Sequence, residues 1–379
     1  MKKRLLSIIL VGAMAIACLA GCGSEGGNEG GAGSAAGEGT GSAIASMEDI
    51  VVGEIQSYVI NDGGWCQATH EGLVAAMENA GIPAGNLMTL EEVYEEQAAV
   101  YAATEQLIEE GANVIVGTST GYSGYLAELK AEYPDVTFIQ YGTEVEGLAS
   151  FALRSYEAMF VAGAVCEMMS MADGGNAQLG FSASMDEFSV NTAINAYALG
   201  AQYINPEATV KVACADSWYD VDKETQCAQS LIDAGIKYMG MEASSPAIPQ
   251  TCEKNGAYCV GYHIDMSEYA PEAVLFSFTW NFAPIFETIF ADIVAGNVQS
   301  MYYMGGECAA LTDFSDKVPA DVQTKAAEIQ AGIADGTINV YGGPLADRDG
   351  NELVAEGAVM DDNAILLQEF YVNGVDCAW

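Results

Sequence analysis

The sequence predicts an α/β protein of two similar doubly wound lobes with a cleft between them. Three observations carry this. Short apolar runs alternate with helical patterns from residue 51 to residue 278, the pattern of successive βαβ units. The alternation also echoes itself. Leu107-Ile108-Glu109-Glu110-Gly111 closes one helix and introduces a short apolar run, and Leu231-Ile232-Asp233-Ala234-Gly235 does the same further on. Finally, about 330 residues follow a low-complexity amino-terminal stretch, a length that suggests two domains. With 51% of the chain hydrophobic, there is material for two cores.

Taken in order, residues 51–60 read as a strand and 66–80 as a helix ending at Gly81. A strand at 87–94 precedes a helix at 97–110 that Gly111 stops. Residues 113–118 are a strand, and 124–133 a helix stopped by Pro134, since glycine and proline end regular structure. Strands at 136–141 and 150–153 follow. A helix at 156–171 leads into the second series: strand 177–184, helix 187–203, strand 209–215, helix 223–234, then strands at 237–242, 258–262 and 274–278. A helix at 283–295, an extended piece at 302–306 and a helix near 322–334 come next. Residues 343–351 place an Asp-Gly turn between short extended runs, which reads as a hairpin and lacks the ligand spacing of a calcium loop.

The amino terminus reads separately. Met1-Lys2-Lys3-Arg4 and an apolar run at 5–19 have the form of a secretory signal, too short to span a bilayer comfortably. The run ends in Leu19-Ala20-Gly21-Cys22, similar to a bacterial lipoprotein signal. Residues 1–21 would be removed and Cys22 would carry the lipid. Residues 22–47, rich in Gly, Ser, Ala and Glu, cannot bury a core and form a tether with an r.m.s. reach of about 25 Å. The body is therefore expected outside the cytoplasm, lipid-anchored to the cell membrane.

The formal charge of −41 excludes phosphate-driven nucleic-acid binding. It also disfavours adhesion to anionic lipid, which leaves the anchor to hold the membrane. Without Cys18 and Cys22, eight cysteines remain, and 105 pairings are possible. There is no C-x-x-C or H-E-x-x-H, and His70 and His263 are the two histidines. No metal or cofactor is expected.

Gly117-Thr118-Ser119-Thr120-Gly121 matches G-x-S-x-G between a strand and a helix, the setting of a hydrolase nucleophile elbow. A triad would need Ser119 with His263, the histidine downstream. The other reading is a glycine-rich turn that caps the next helix or contacts a ligand. The aromatic residues favour binding. Trp65, Tyr122, Trp218 and Trp280 each stand at or after the carboxyl end of an expected strand, where open α/β sheets bind ligands. Ser245 and Asp265 follow other strands in the same way. A pocket with two stacking faces and no basic group suits a neutral planar heterocycle better than a phosphate.

These motifs carry a family resemblance. D-G-G-W at 62–65, T-S-T-G-Y at 118–122, F-V-A-G-A-V at 160–165, N-A-Y-A-L-G-A at 195–201, D-S-W-Y-D at 216–220, G-Y-H-I-D-M at 261–266 and G-G-P-L-A-D-R-D-G at 342–350 resemble, in order and spacing, the basic membrane lipoprotein family. Its characterised members are substrate-binding lipoproteins of ABC importers that bind purine nucleosides or nucleobases. The resemblance implies a type I periplasmic-binding-protein fold, two lobes joined by hinge crossovers, with lobes at 48–154 plus 282–303 and at 155–281 plus 304–379. It also implies a permease and an ATPase as partners, a monomeric receptor and no enzymatic activity.

By the same resemblance, the paired aromatic positions that sandwich the base correspond to Trp65 and Trp218, and the ligand-contacting aspartate to Asp265. Asp62 and Tyr122 sit in the matching motifs. Two departures stand out. Cys66 replaces the asparagine usual after the first aromatic, and Trp280 stands where nucleoside receptors hold the ribose with lysine. That exchange favours a free purine base over a nucleoside.

Overall fold

The computed structural model describes residues 44–379 apart from Asn176 and Glu307. Cys22, the expected signal and most of the expected tether lie outside the described residues. The first lobe begins β1 (Val52–Ile55), α1 (Trp65–Ala80), β2 (Leu87–Leu90), α2 (Gln97–Glu109), β3 (Val114–Gly117), α3 (Ser123–Glu132), β4 (Thr137–Tyr141) and β5 (Ala149–Leu153). The strands lie in the order β5-β4-β3-β1-β2, all parallel. Every residue of β1 and β3 is buried. Continuous rather than alternating burial is what a sheet covered on both faces requires.

From β5 the chain enters α4 (Ser155–Ala172) and builds the second lobe. It comprises β6 (Gln178–Ala183), α5 (Phe188–Ile204), β7 (Thr209–Cys214), α6 (Val221–Asp233), β8 (Tyr238–Glu242), α7 (Ala247–Asn255), β9 (Tyr258–Gly261) and β10 (Val274–Trp280). Helices α4 and α5 are buried along most of their length, and glycine makes their crossing possible. A methyl group on Gly163 would lie 1.9 Å from the Tyr197 carbonyl oxygen, and one on Gly200 1.8 Å from that of Phe160.

The chain then returns. Helix α8 (Ala283–Ala295) packs on α1, and β11 (Met301–Met304) adds to the first sheet beside β5 in parallel register, Tyr302 opposite Phe151. It leaves again for β12 (Ala309–Leu311), which pairs antiparallel with β10 and sets Trp280 opposite Ala309. Three crossovers thus join the lobes: after β5, after β10 and after β11. Arg154, at the first of them, donates its backbone N–H to Met304 at 2.8 Å. Its guanidinium grips Asp362 through Nε (2.9 Å) and Nη2 (2.6 Å).

Helix α9 (Ala320–Ala334) packs on α4, and β13 (Leu345–Ala346) pairs with β14 (Glu352–Val354) as an antiparallel hairpin. Asp362 starts α10 (Asp362–Leu366), and β15 (Val375–Asp376) closes the second sheet in the order β12-β10-β9-β8-β6-β7-β15. Helix α7 escapes the sequence pattern because Pro249 lies inside it, although in the first turn its missing N–H costs nothing. Strands β12 and β15, of three and two residues, are too short to show a period. No helix among the described residues is long and apolar enough to cross a membrane.

Candidate ligand-binding site

The carboxyl ends of strands from both sheets converge on a cavity of about 540 Å³, a size usual for small-molecule sites. The first lobe contributes Asp62, Trp65, Thr118, Ser119 and Tyr141, among others. The second supplies Ser184, Trp218, Glu242, Tyr262, His263 and Trp280. Neither lysine nor arginine is among the described residues that line it. Among the described residues, no group of His, Cys, Asp and Glu is arranged to hold a metal ion.

The amino-terminal turn of α1 shapes one wall. Asp62 Oδ1 accepts from the backbone N–H of Gly64 (2.8 Å) and Gln67 (3.1 Å), and Oδ2 from that of Cys66 (3.2 Å). It satisfies amides a helix start leaves unpaired. Burial pushes its carboxyl up, opposed by these three amides. Trp65 is the first residue of the helix, and its indole N–H donates to the Thr118 carbonyl at 2.9 Å. Its ring meets Tyr141 at 4.6 Å, and Phe282 and Trp280 edge-on at 5.3 and 5.5 Å. Gly64 is where the lobes touch: a Cβ there would fall 2.6 Å from the Ser244 carbonyl oxygen.

Thr118 rests on a buried polar network. Its hydroxyl donates to Gln56 Oε1 (2.6 Å), and the Gln56 amide donates to Glu54 (2.7 Å) and Thr69 (2.9 Å). Glu54 also holds His70 Nδ1 at 2.8 Å, which raises the imidazole above its ordinary value. Strand β1, β3 and α1 are locked together beneath Trp65 by these bonds.

The opposite wall is largely aromatic. Trp280 is 9% exposed, with Phe278 at 4.6 Å and Phe282 at 5.4 Å. Its indole N–H donates to His263 Nδ1 at 2.8 Å. An indole nitrogen can only donate, so Nδ1 is the acceptor and the imidazole proton resides on Nε2. Burial drives His263 down to about 3, and the ring is neutral. Glu242, the last residue of β8, takes a hydroxyl hydrogen bond from Ser184 at 3.0 Å, and burial pushes its carboxyl up to about 8.

Four of the expected contact residues, Asp62, Trp65, Trp218 and Trp280, line the cavity. Trp218 is half-buried on the loop after β7. The other three lie elsewhere, each for a physical reason. Tyr122 closes a 3-10 turn that folds its ring into the first-lobe core, fully buried, with its hydroxyl on the Val93 carbonyl. Ser245 is buried and its hydroxyl donates to Glu224, while its neighbour Ser244 reaches the cavity wall. Asp265 is exposed and accepts from the Ser267 backbone N–H at 2.9 Å. His263 at φ 73° turns the chain away before it.

Sequence reasoning passed over Tyr141, Glu242 and His263 as wall residues. The rule that selected the tryptophans, a polar or aromatic residue closing an apolar strand, would have selected Tyr141 and Glu242 as well. The hydrolase reading fails on geometry: Ser119 donates its hydroxyl to Glu95, and His263 Nδ1 is occupied by Trp280.

A ring- and hydroxyl-lined cavity at the carboxyl ends of two hinged α/β sheets defines a solute-binding protein of the periplasmic-binding-protein fold. Residues 50–307 match the profile of PnrA-like ABC transporter substrate-binding proteins, and the chain belongs to that family. It is similar to a purine-binding protein of Brucella abortus, 28% identical over 87% of this chain and 93% of that one. It also resembles a putative ABC transporter glucose-binding protein of Haloferax volcanii, 27% identical over 66% of this chain and 64% of that one. A solved solute-binding protein from Conexibacter woesei shares the fold at a TM-score of 0.63, with 17% identity over 76% of this chain and 98% of that one. The protein is thus an extracytoplasmic substrate-binding component that works with permease and ATPase subunits, not an enzyme.

Proposed function

We propose that this protein captures a purine, a free nucleobase in preference to its nucleoside, and delivers it to the permease of an ABC importer. The observation that carries this reading is the lining itself: Trp65 and Trp218 face one cavity from different lobes, with no lysine or arginine among the described residues of its wall. Two indoles give a flat heterocycle two stacking faces, and the absence of cations disfavours a nucleotide. Trp280 is bonded to His263 and nearly buried, and by the family resemblance it corresponds to the sugar-binding lysine of nucleoside receptors. The kinship to a purine-binding protein of Brucella abortus points the same way.

In this reading the lobes comprise residues 48–154 with 282–303, and 155–281 with 304–379. They close as a monomer around the ligand. Cys22 carries the lipid, and residues 22–47 are the leash. Calorimetric titration of adenine, guanine and hypoxanthine beside their nucleosides, with glucose as the competing class, tests the ligand. Bases binding more tightly than nucleosides supports the reading, and binding of glucose alone overturns it. Cys22→Ser tests the anchor: the body should leave the membrane fraction, and retention of a processed body there would refute it.

A further inference from the structure

The cavity holds one carboxyl group that its surroundings leave almost without partners. Glu242 closes β8, is 7% exposed and lines the cavity. Among the described residues, its one hydrogen bond comes from the neutral hydroxyl of Ser184, on Oε2. Two other buried acids of this chain are better served. Glu54 is held by Gln56, Thr89 and His70, and Glu224 by Ser245 through its hydroxyl and amide and by the Asp220 amide. Glu242 has no ion pair and no amide donor among the described residues, although a buried carboxylate needs such partners to stay ionised.

We propose that Glu242 is the residue that reads the ligand, and that it does so as an uncharged carboxylic acid. Resting on the purine reading above, this assigns the ligand an edge that alternates acceptor and donor. Ser184 donates to Oε2, so the acid proton sits on Oε1 and points a donor at the ligand, while Oε2 keeps a lone pair to accept one. The amidine edge of adenine (N1 and the 6-amino group) and the lactam edge of hypoxanthine or guanine (O6 and N1–H) both complement this pair. A carboxylate would instead select two donors, such as a sugar diol or a cation.

The groups around it permit the neutral state. Tyr141 from β4 and Tyr262 after β9 are kept neutral by burial and lie near enough for a charge on Glu242 to raise both phenols further. His263 is neutral and contributes no cation. Cys166 of α4 and Tyr197 of α5, whose ring covers β8 at Gly240, are held protonated by burial. Asp62, Glu95 and Glu187, the other acids of the wall, add negative potential if anything. None of these groups supplies a positive charge to hold a carboxylate, and burial carries the carboxyl to about 8.

The test is calorimetric binding of adenine, uncharged between pH 6 and pH 9, to wild type, Glu242→Gln and Glu242→Ala, each checked for a wild-type-like melt. Glutamine keeps one donor and one acceptor, so it should bind within about threefold of wild type, whereas alanine should lose tenfold or more. Wild-type affinity should fall about tenfold between pH 6 and pH 9, as the competent fraction falls to about a tenth, and the glutamine variant should show no such slope. Three results overturn the proposal: alanine binding like wild type, glutamine failing as alanine does, or wild-type affinity that holds or rises at pH 9. If wild type binds adenine, the purine reading stands whatever the variants do. If it binds no purine, that reading falls first and takes this one with it.

Discussion

Trp280 donates its indole N–H to His263 Nδ1 at 2.8 Å, and that one bond decides the state of both rings. Protonating the imidazole would turn Nδ1 from acceptor to donor and set two donors against each other in a buried aromatic wall. With a folded value of about 3 against about 6.5 unfolded, the unfolded chain binds a proton between these pH values that the native chain does not. Stability should therefore rise with pH across that window and be lost as pH falls towards 3, by up to about 1.4 kcal/mol per pH unit.

His263→Asn keeps an acceptor and tolerates the left-handed backbone at φ 73° better than most residues. Its urea-derived stability should be flatter than wild type between pH 3 and 6.5. A parallel acid limb in both proteins would refute the assignment.

Glu242 should act in the opposite sense. Its carboxyl is raised to about 8, so it contributes stability that is complete below about pH 4.3 and is lost as pH rises through 8. In melts from pH 5 to pH 9, Glu242→Gln should lose less stability than wild type. An identical alkaline decline would show that the carboxyl does not titrate there.

Trp65→Ala and Trp218→Ala should each weaken binding of a purine base by about 1–3 kcal/mol, roughly five- to 150-fold. Trp→Phe at either site should cost much less, since a ring remains. Trp65 also carries its bond to Thr118, so Trp65→Phe should lower the melting temperature where Trp218→Phe does not. Calorimetry and thermal melts of the four variants separate stacking from anchoring.

Trp280→Lys would place an ammonium among Phe278, Phe282, Tyr262 and Trp65 and leave His263 without its donor. The expected cost is about 3–5 kcal/mol of folding stability, read in urea titrations. If the variant folds, its preference for base over nucleoside should narrow. A variant as stable as wild type would contradict the packing described.

Cys214 on β7 and Cys377 beyond β15 hold their sulfurs 3.9 Å apart. The Cys214 thiol beside it holds Cys377 below the usual thiol range. Thiol–disulfide exchange with oxidised glutathione should join them with loss of two protons and two electrons to the oxidant. Non-reducing peptide mapping should recover the linked pair in preference to pairs that involve the fully enclosed Cys166 or Cys252. Recovery of other pairs instead would overturn this expectation.

The alternation of strands and helices, the hairpin near the end and the placing of Trp65, Trp218 and Trp280 were legible in the chain. Period and punctuation are local: an apolar run closed by glycine declares a covered strand or helix whatever surrounds it. Short or interrupted elements, β12, β15 and α7, carried too little of either. Tyr122 shows the limit within the site. Its position after a strand was read correctly, yet a 3-10 turn rotated its ring into the core, and no pattern in five residues sets that rotation.

Sequence by itself determined an acidic α/β body in which aromatic residues close the parallel strands, because burial periodicity and strand-end position are properties of the chain alone. Only the tertiary structure decided which of those strand ends share one cavity, that Asp265 turns outward, and that Glu242 and His263 are buried in the cavity wall. Strand order comes from three crossovers between residues far apart in sequence. The charge state of an acid or an imidazole depends on the dielectric and partners that such a fold assembles around it.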